Sequence, residues 1–387
     1  MKSIRHLVRA NIRQYGMMIA LGVIAVFFWI TTNGVLFQPM NVTNLIMQNS
    51  HILVMAIGMM LVIITGYVDL SIGSVVAATG ALSAVLILDN NIPVFLGLVM
   101  ILLIGMLIGS WHGFFISVLK IPPFISTLAG MLIFRGVCQV ILRGETKGPY
   151  PPSFQTMSIG FISYDFGGRD IVSILLGVAA IAVIVILEIR SRKSKRKYNL
   201  EVAPLFLSIL KIIIFTVLIG FFAYSLSSYN GVPVVLCVLV GLIIIYSFIM
   251  NNTIVGRHIY AVGGNQPAAR LSGINVAKIQ FIVFTNMGLL AALAGMIVAG
   301  RLNAATPRAG DGYELDAIAA CYIGGASTSG GIGTIIGGIV GAMVMGVMNN
   351  GMSIMGLPID WQRIIKGLVL LGAVCFDFYA KKKSTSA

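Results

Sequence analysis

The sequence predicts an all-α polytopic membrane protein of about 12 spans, organised as a ten-helix inverted repeat (5+5) with an inserted helical hairpin. Three observations carry that expectation. The 387-residue chain is 58% hydrophobic and only 10% charged, and its many charge-free runs of about 18 or more residues suit a bilayer rather than one water-soluble core. Lys and Arg are shared unevenly between alternate connecting segments. Short motifs also recur where that topology puts them on opposite sides of the membrane.

Taken in order, the apolar segments fall at roughly 17–36, 44–65, 70–88, 94–117, 121–142, 171–189, 205–226, 233–250, 279–302, 314–330, 332–352 and 360–380. The tenth, ELDAIAACYIGGASTSG, is acidic at one end, short, and followed by a glycine-rich break, so a re-entrant half-helix is the alternative there. The 44 glycines fit a helical membrane protein, because small residues let helices approach closely. Cys138, Cys237, Cys321 and Cys375 lie inside apolar runs with no metal or redox spacing and read as small buried hydrophobes. The net charge of +14 does not indicate nucleic acid, which would need a basic face on a folded soluble domain. A membrane surface accounts for it instead.

Orientation follows from the basic residues. With a cytoplasmic N-terminus, the inner segments carry 17 Lys and Arg: four in MKSIRHLVRANIRQY, Lys120, six in RSRKSKRK, three in 251–278 and the final KKK. The outer segments carry 4, three in 143–170 and Arg308. Both termini are then cytoplasmic, provided the tenth segment crosses. The basic start leads straight into a full-length span without a small-residue cleavage site, so no cleavable signal peptide is expected.

The repeat is visible at two places. GYVDLSIG at 66–73 resembles GYELDAIA at 312–319, and GMLIGSWHG at 105–113 before Ile121-Pro122 resembles GAMVMGVMNNG at 341–351 before Leu357-Pro358. The first copy of each break faces the cytoplasm and the second faces outward, as in inverted-repeat transporters. One transmembrane domain, 1–387, is thus expected to contain half one (about 17–142), the hairpin (about 171–226, joined by RSRKSKRK) and half two (about 233–380).

Between spans eight and nine lies VGGNQPAARLSGINV, 262–276, which reads like a piece of a soluble helical protein. Asn265 can cap a short helix, Pro267 suits its first turn, and Gly273 suits a left-handed stop. A helix this short is not stable alone in water. Docked into a partner it would be, and Ala268, Ala269 and Ser272 offer a small-residue face for close approach; the alternative is an ordinary interfacial helix.

GRHIYAVGGNQPAARLSGINV, followed by GYELDAIAACYIGGAS and NNGMSIMGLP, resembles the membrane-spanning subunits of bacterial ATP-binding-cassette importers for ribose, xylose and arabinose. The extra hairpin with its basic loop is similar to the xylose-type permeases. The resemblance implies that Gly263, Gly264, Asn265, Pro267, Ala268, Ala269, Arg270, Leu271, Ser272, Gly273 and Ile274 form the coupling loop seated in a groove of the ATPase subunit. The chain contains no G-x-x-x-x-G-K-[ST] and no Gly-Lys dipeptide, so it cannot cradle nucleotide phosphates. ATP and Mg would be bound by the separate ATPase, leaving this chain without cofactor or enzymatic activity. The resemblance further implies a second permease copy, a sugar-binding protein outside, residence in the bacterial cytoplasmic membrane, and a monosaccharide such as xylose as cargo.

Polar groups within spans are costly in lipid and should face protein or water. The candidates for a path are Gln48, Asn49 and His51, Trp111 and His112, Arg135, and Asn349 and Asn350. For each the favoured alternative is a helix-to-helix hydrogen bond, and Arg135, near the outer end of its span, could snorkel outward. Asp69, Glu314 and Asp316 sit at the repeat breaks, where capping is the expected role. The outer loop 143–170, with Tyr150, Phe154 and Tyr164, is long enough to receive the sugar-binding protein. A secondary, ion-coupled transporter is the alternative function, but it would place coupling carboxylates deep in the membrane. An intramembrane hydrolase lacks a G-x-S-x-G frame, and a channel would have only 324–333 for a selectivity segment.

Overall fold

A computed structural model describes residues 12–198, 202 and 204–385, with side chains described only between 16 and 375. The basic residues at 2, 5, 9 and 13 and the KKK run that entered the charge count lie outside the described side chains. Among the described residues fifteen helices follow one another: α1 Ile12–Thr31, α2 Pro39–Ile64, α3 Ile72–Ala84, α4 Val94–Ser117, α5 Pro123–Leu142, α6 Pro152–Ile159, α7 Ile171–Lys197, α8 Leu205–Ser227, α9 Val234–Asn252, α10 Ile254–Gly264, α11 Gln266–Leu271, α12 Val276–Leu302, α13 Tyr313–Ile323, α14 Ile335–Ile354 and α15 Ile359–Thr385. A π-helical turn, Val85–Asp89, prolongs α3. Strand β1 (Phe161–Ile162) pairs antiparallel with β2 (Val232–Pro233).

Proline starts many of these helices: Pro39, Pro123 and Pro152 occupy their first turns, and Pro93, Pro204 and Pro233 sit just before α4, α8 and α9. Its missing N–H is harmless at those places. Left-handed residues stop α5 at Arg143 and α12 at Asn303, with φ of 53° and 54°.

Among the described residues nine helices are long and apolar enough to cross a membrane, and the protein is a multi-pass membrane protein. The first and twelfth expected spans correspond to α1 and α15, whose side chains are only partly described. The tenth is corrected: α13 has 11 residues, a rise of roughly 16 Å against a hydrocarbon core of about 30 Å. The rest of that segment is non-helical. It runs to the far end of α2, where Gly331 N–H donates to the Ile64 carbonyl at 2.8 Å. Irregular backbone is tolerated at membrane depth only where protein buries it, and Gly324, Ala326, Ser327, Gly330 and Gly333 are buried.

The centre consists of α2, α3, α12 and α14, whose most apolar windows are 89%, 72%, 67% and 72% buried. α4 lies along α12, and α14 lies along α2; α3 packs on α12 and α5, while α13 packs on α2 and α15. By contrast the windows of α7 and α8 are 11% and 6% buried. These two helices pack on each other, and α8 rests against α2. The hairpin leaves and returns at one spot: Asp170 caps α7 through the Ser173 N–H at 2.7 Å, and its N–H donates to Ser227 O. Cys138 and Cys321 are buried as expected, but Cys237 on α9 and Cys375 on α15 are exposed, because those helices turn one side away from the bundle.

Candidate coupling helix and translocation path

The stretch 253–276 folds as three helices joined by caps. The Thr253 hydroxyl accepts from Gly256 N–H at 3.3 Å at the start of α10, Asn265 Oδ1 accepts from Ala268 N–H at 3.0 Å at the start of α11, and Asn275 Oδ1 accepts from Lys278 N–H at 2.9 Å at the start of α12. Each side chain satisfies a donor that the first turn leaves without an intrahelical partner. Pro267 lies in the first turn of α11. Gly273, at φ +83°, ends it with its N–H on Arg270 O, while Ile274 N–H returns to Ala269 O at 3.1 Å.

What fixes the end of α10, which leads into α11, to the bundle is glycine. A Cβ on Gly263 would lie 1.6 Å from the Ile64 carbonyl oxygen and 2.8 Å from Gly331 N, and one on Gly331 would lie 2.8 Å from Gly264 Cα. Backbone therefore touches backbone between the end of α10, the end of α2 and the loop 324–334. The Tyr260 hydroxyl adds a bond to Gly333 O at 2.8 Å, and burial pushes its phenol above the usual range, so it stays a donor.

The expected small-residue face is corrected. Ala269 is turned inward at 4% exposure, whereas Ala268, Arg270, Ser272 and Gly273 are exposed and Leu271 projects at 91%. The free face is apolar at one point and rimmed by polar groups. Sequence reasoning misses α10, although its amphipathic spacing (Ile254, Val255, Ile259 and Val262 among Arg257, His258 and Tyr260) is the signal that finds it.

The path candidates do not form one site. Gln48 is exposed on α2. Asn49 is buried, its Nδ2 donating back to Leu45 O at 2.9 Å, and a Cβ on Gly346 of α14 would lie 2.9 Å from its Cγ. Trp111 belongs to an aromatic group with His112, Phe115 and Phe134. His112 is 1% exposed, with Nδ1 3.1 Å from Ile108 O. Asn350 and Asn41 exchange amide bonds at 2.9 and 3.1 Å, tying α14 to α2, which is a helix-to-helix role. Arg135 does not snorkel: its guanidinium donates to Ala309 O at 2.7 Å and Pro307 O at 3.2 Å, holding the loop that enters α13.

Of the three carboxylates, Asp69 closes the turn before α3, accepting from Ser71 N–H at 2.8 Å and Ser71 Oγ at 2.6 Å, but the N-cap of α3 is Ser71, which makes no side-chain cap bond. Asp316 does not cap either. It is 4% exposed, forms an ion pair with Lys366 at 2.9 Å, and accepts from Asn349 Nδ2 at 3.4 Å. Glu314 lies against Gly73, where an added Cβ would fall 2.2 Å from its Oε2 and 2.3 Å from Gly310 O, so the N-termini of α3 and α13 meet. His51 packs against Tyr313 with ring centroids 4.3 Å apart and the planes tilted by 38°. Among the described residues no group of His, Cys, Asp and Glu has the arrangement to hold a metal.

The loops expected outside converge at one end: Lys147 forms an ion pair with Asp89, Lys147 and Ala305 pair through their backbones, and Tyr150 N–H donates to Asn303 Oδ1 at 2.7 Å. Buried Tyr150, pushed up to about 12 by its burial, stacks on Phe154 at 4.3 Å, so these two aromatics are core rather than free docking surface. Tyr164 is exposed.

A bundle of spanning helices with a capped helix held in a connecting loop is an architecture that suits a membrane transport protein. The family profile described as branched-chain amino acid transport system / permease component matches residues 41–196 and 171–374, and the chain belongs to that permease family. It is 39% identical over 373 residues to the xylose transport system permease protein XylH of Haemophilus influenzae, covering 96% of this chain and 98% of the relative. It is 37% identical over 375 residues to XylH of Escherichia coli K12, covering 97% and 94%. The ribose import permease protein RbsC of Haemophilus influenzae is 34% identical over 347 residues, covering 90% and 88%. No solved structure matches significantly.

Proposed function

We propose that this chain is the membrane-spanning subunit of an ATP-binding-cassette importer that moves a monosaccharide, xylose or a related pentose or hexose, into the cytoplasm. The observation that carries the reading is α11: capped at both ends, led into by α10, which Gly263 fixes to the bundle, and presenting Leu271. A partner seated there would pull directly on the end of α2 and on the loop 324–334. A separate ATPase subunit binds ATP and Mg and supplies that motion, an external binding protein delivers the sugar, and a second permease copy completes the path. The names of the relatives support a permease of a sugar transport system over the ion-coupled alternative.

The inverted repeat of 17–142 and 233–380 is supported by paired preferences: α4 on α12 matches α14 on α2, and α3 on α5 matches α13 on α15. The hairpin 171–226 lies outside that scheme. Reconstituting the chain with its ATPase and binding protein should give ATP hydrolysis stimulated by a pentose; absence of stimulation by any sugar would overturn the reading. The same assay on a chain lacking 171–230 should retain part of the stimulation, because Gly231 already abuts Asp170.

The charge bias supports cytoplasmic termini and a cytoplasmic α11. Without the four native cysteines, a single cysteine replacing Gln266 or Ser194 should be protected in intact cells from an impermeant thiol reagent, and one replacing Ser153 should react. External labelling at position 266 would reverse the orientation.

A further inference from the structure

Five helices bring polar groups to one buried place beside the half-helix α13: His51 from α2, Arg301 from α12, Tyr313 and Asp316 from α13, Asn349 from α14 and Lys366 from α15. The Asp316 carboxylate holds Lys366 at 2.9 Å and Asn349 at 3.4 Å. His51, only 5% exposed, packs against the Tyr313 ring, and Arg301 lies near both. Hydrogen-bonding capacity is left over. Arg301 Nε and Asn349 Oδ1 are buried with no partner among the described residues, although buried polar atoms are normally paired. Lys366 has three donors and a carboxylate about four acceptor sites, so neither is saturated by the other.

The matched stretch of the first half is different. Leu70 stands where Asp316 does, and Asp69, one residue earlier, is held by Ser71 two residues on. Asp316 instead reaches across to two other helices, at a cost in desolvation that a structural role alone does not require.

We propose that this cluster is the point at which the permease holds its sugar, the Asp316 carboxylate accepting from adjacent hydroxyls, Asn349 and Lys366 bonding to their neighbours, and the His51–Tyr313 pair offering a ring face to the carbon skeleton. The assignment rests on the sugar-permease reading and adds which residues contact the cargo. Lys366 occupies the carboxylate in the present conformation, and the sugar enters as α15 draws away from α13.

The test is transport of epimeric pentoses by the full complex with one binding protein, whose own preference cancels when variant is compared with wild type. Asn349→Ala should change the relative rates for xylose, ribose and arabinose by about tenfold, and Lys366→Met should raise the half-saturating sugar concentration by about tenfold or more. Lys366→Arg should restore much of it. Asn349→Ala and Lys366→Met complexes with wild-type sugar ranking and half-saturation would assign the cluster to structure alone. Should Lys366→Met fail to assemble, the ranking in Asn349→Ala decides by itself. If wild type responds to no sugar, the function reading has failed; if wild type responds and the variants match it, only this assignment has.

Discussion

Leu271→Asp should abolish sugar-stimulated ATP hydrolysis while leaving the amount of protein in the membrane unchanged. Among the described residues Leu271 is the most exposed of the large hydrophobic residues, at 91%, and it stands at the tip of a helix whose own folding does not use it. Burying a leucine in a partner's groove contributes about 1.5–3 kcal/mol, and aspartate would both remove that and carry an unpaired charge into the contact. The caps on Asn265 and Asn275 and the glycine contacts behind α11 remain, so the bundle has no reason to change. The measurements are membrane level, co-purification of the ATPase, and stimulated hydrolysis. Hydrolysis and transport at wild-type rates would mean that α11 is an ordinary interfacial helix.

Gly288→Val should have the opposite profile, with loss of folded protein ahead of any loss of coupling. α4 and α12 approach so closely that a Cβ on Gly288 would lie 2.2 Å from Gly105 O and 2.6 Å from Gly109 N. These are backbone atoms and no rotamer change relieves them. The helices must separate along their whole contact, including Gly109, where an added Cβ would meet Phe284 O at 2.4 Å. Overpacking commonly costs about 1–3 kcal/mol, and a clash between two backbones belongs at or above the top of that range. Gly241→Val on α9 is the control, since nothing lies within 4 Å of a Cβ there. Thermal stability of the detergent-solubilised variants should fall for the first and not for the second; equal stabilities would show that the α4–α12 contact is not what holds the centre together.

Features set by near neighbours in the chain are legible in the amino-acid sequence. Hydropathy and proline mark the spans, because apolar length and a missing N–H act on the segment that contains them. The Asn265 cap and the Gly273 stop are readable because each acts within its own helical turn. The face that α11 presents is not. Ala269 turns inward, into the core, and Leu271 outward, and a six-residue helix has too few turns to declare its buried side. The same holds for the polar groups. Asp69 and Asp316 both sit at the repeat breaks, yet one finds its donor two residues on and the other finds Lys366 50 residues away. Arg135 meets carbonyls 172 and 174 positions off. Most of the apolar helices are local preferences and so are readable from the sequence by itself, although α10 and the short α13 are not. Which polar residues meet was decided by the tertiary structure alone, because in a bundle the partner of a buried charge is whatever neighbouring helix the close approach of glycine-lined backbones brings within about 3 Å.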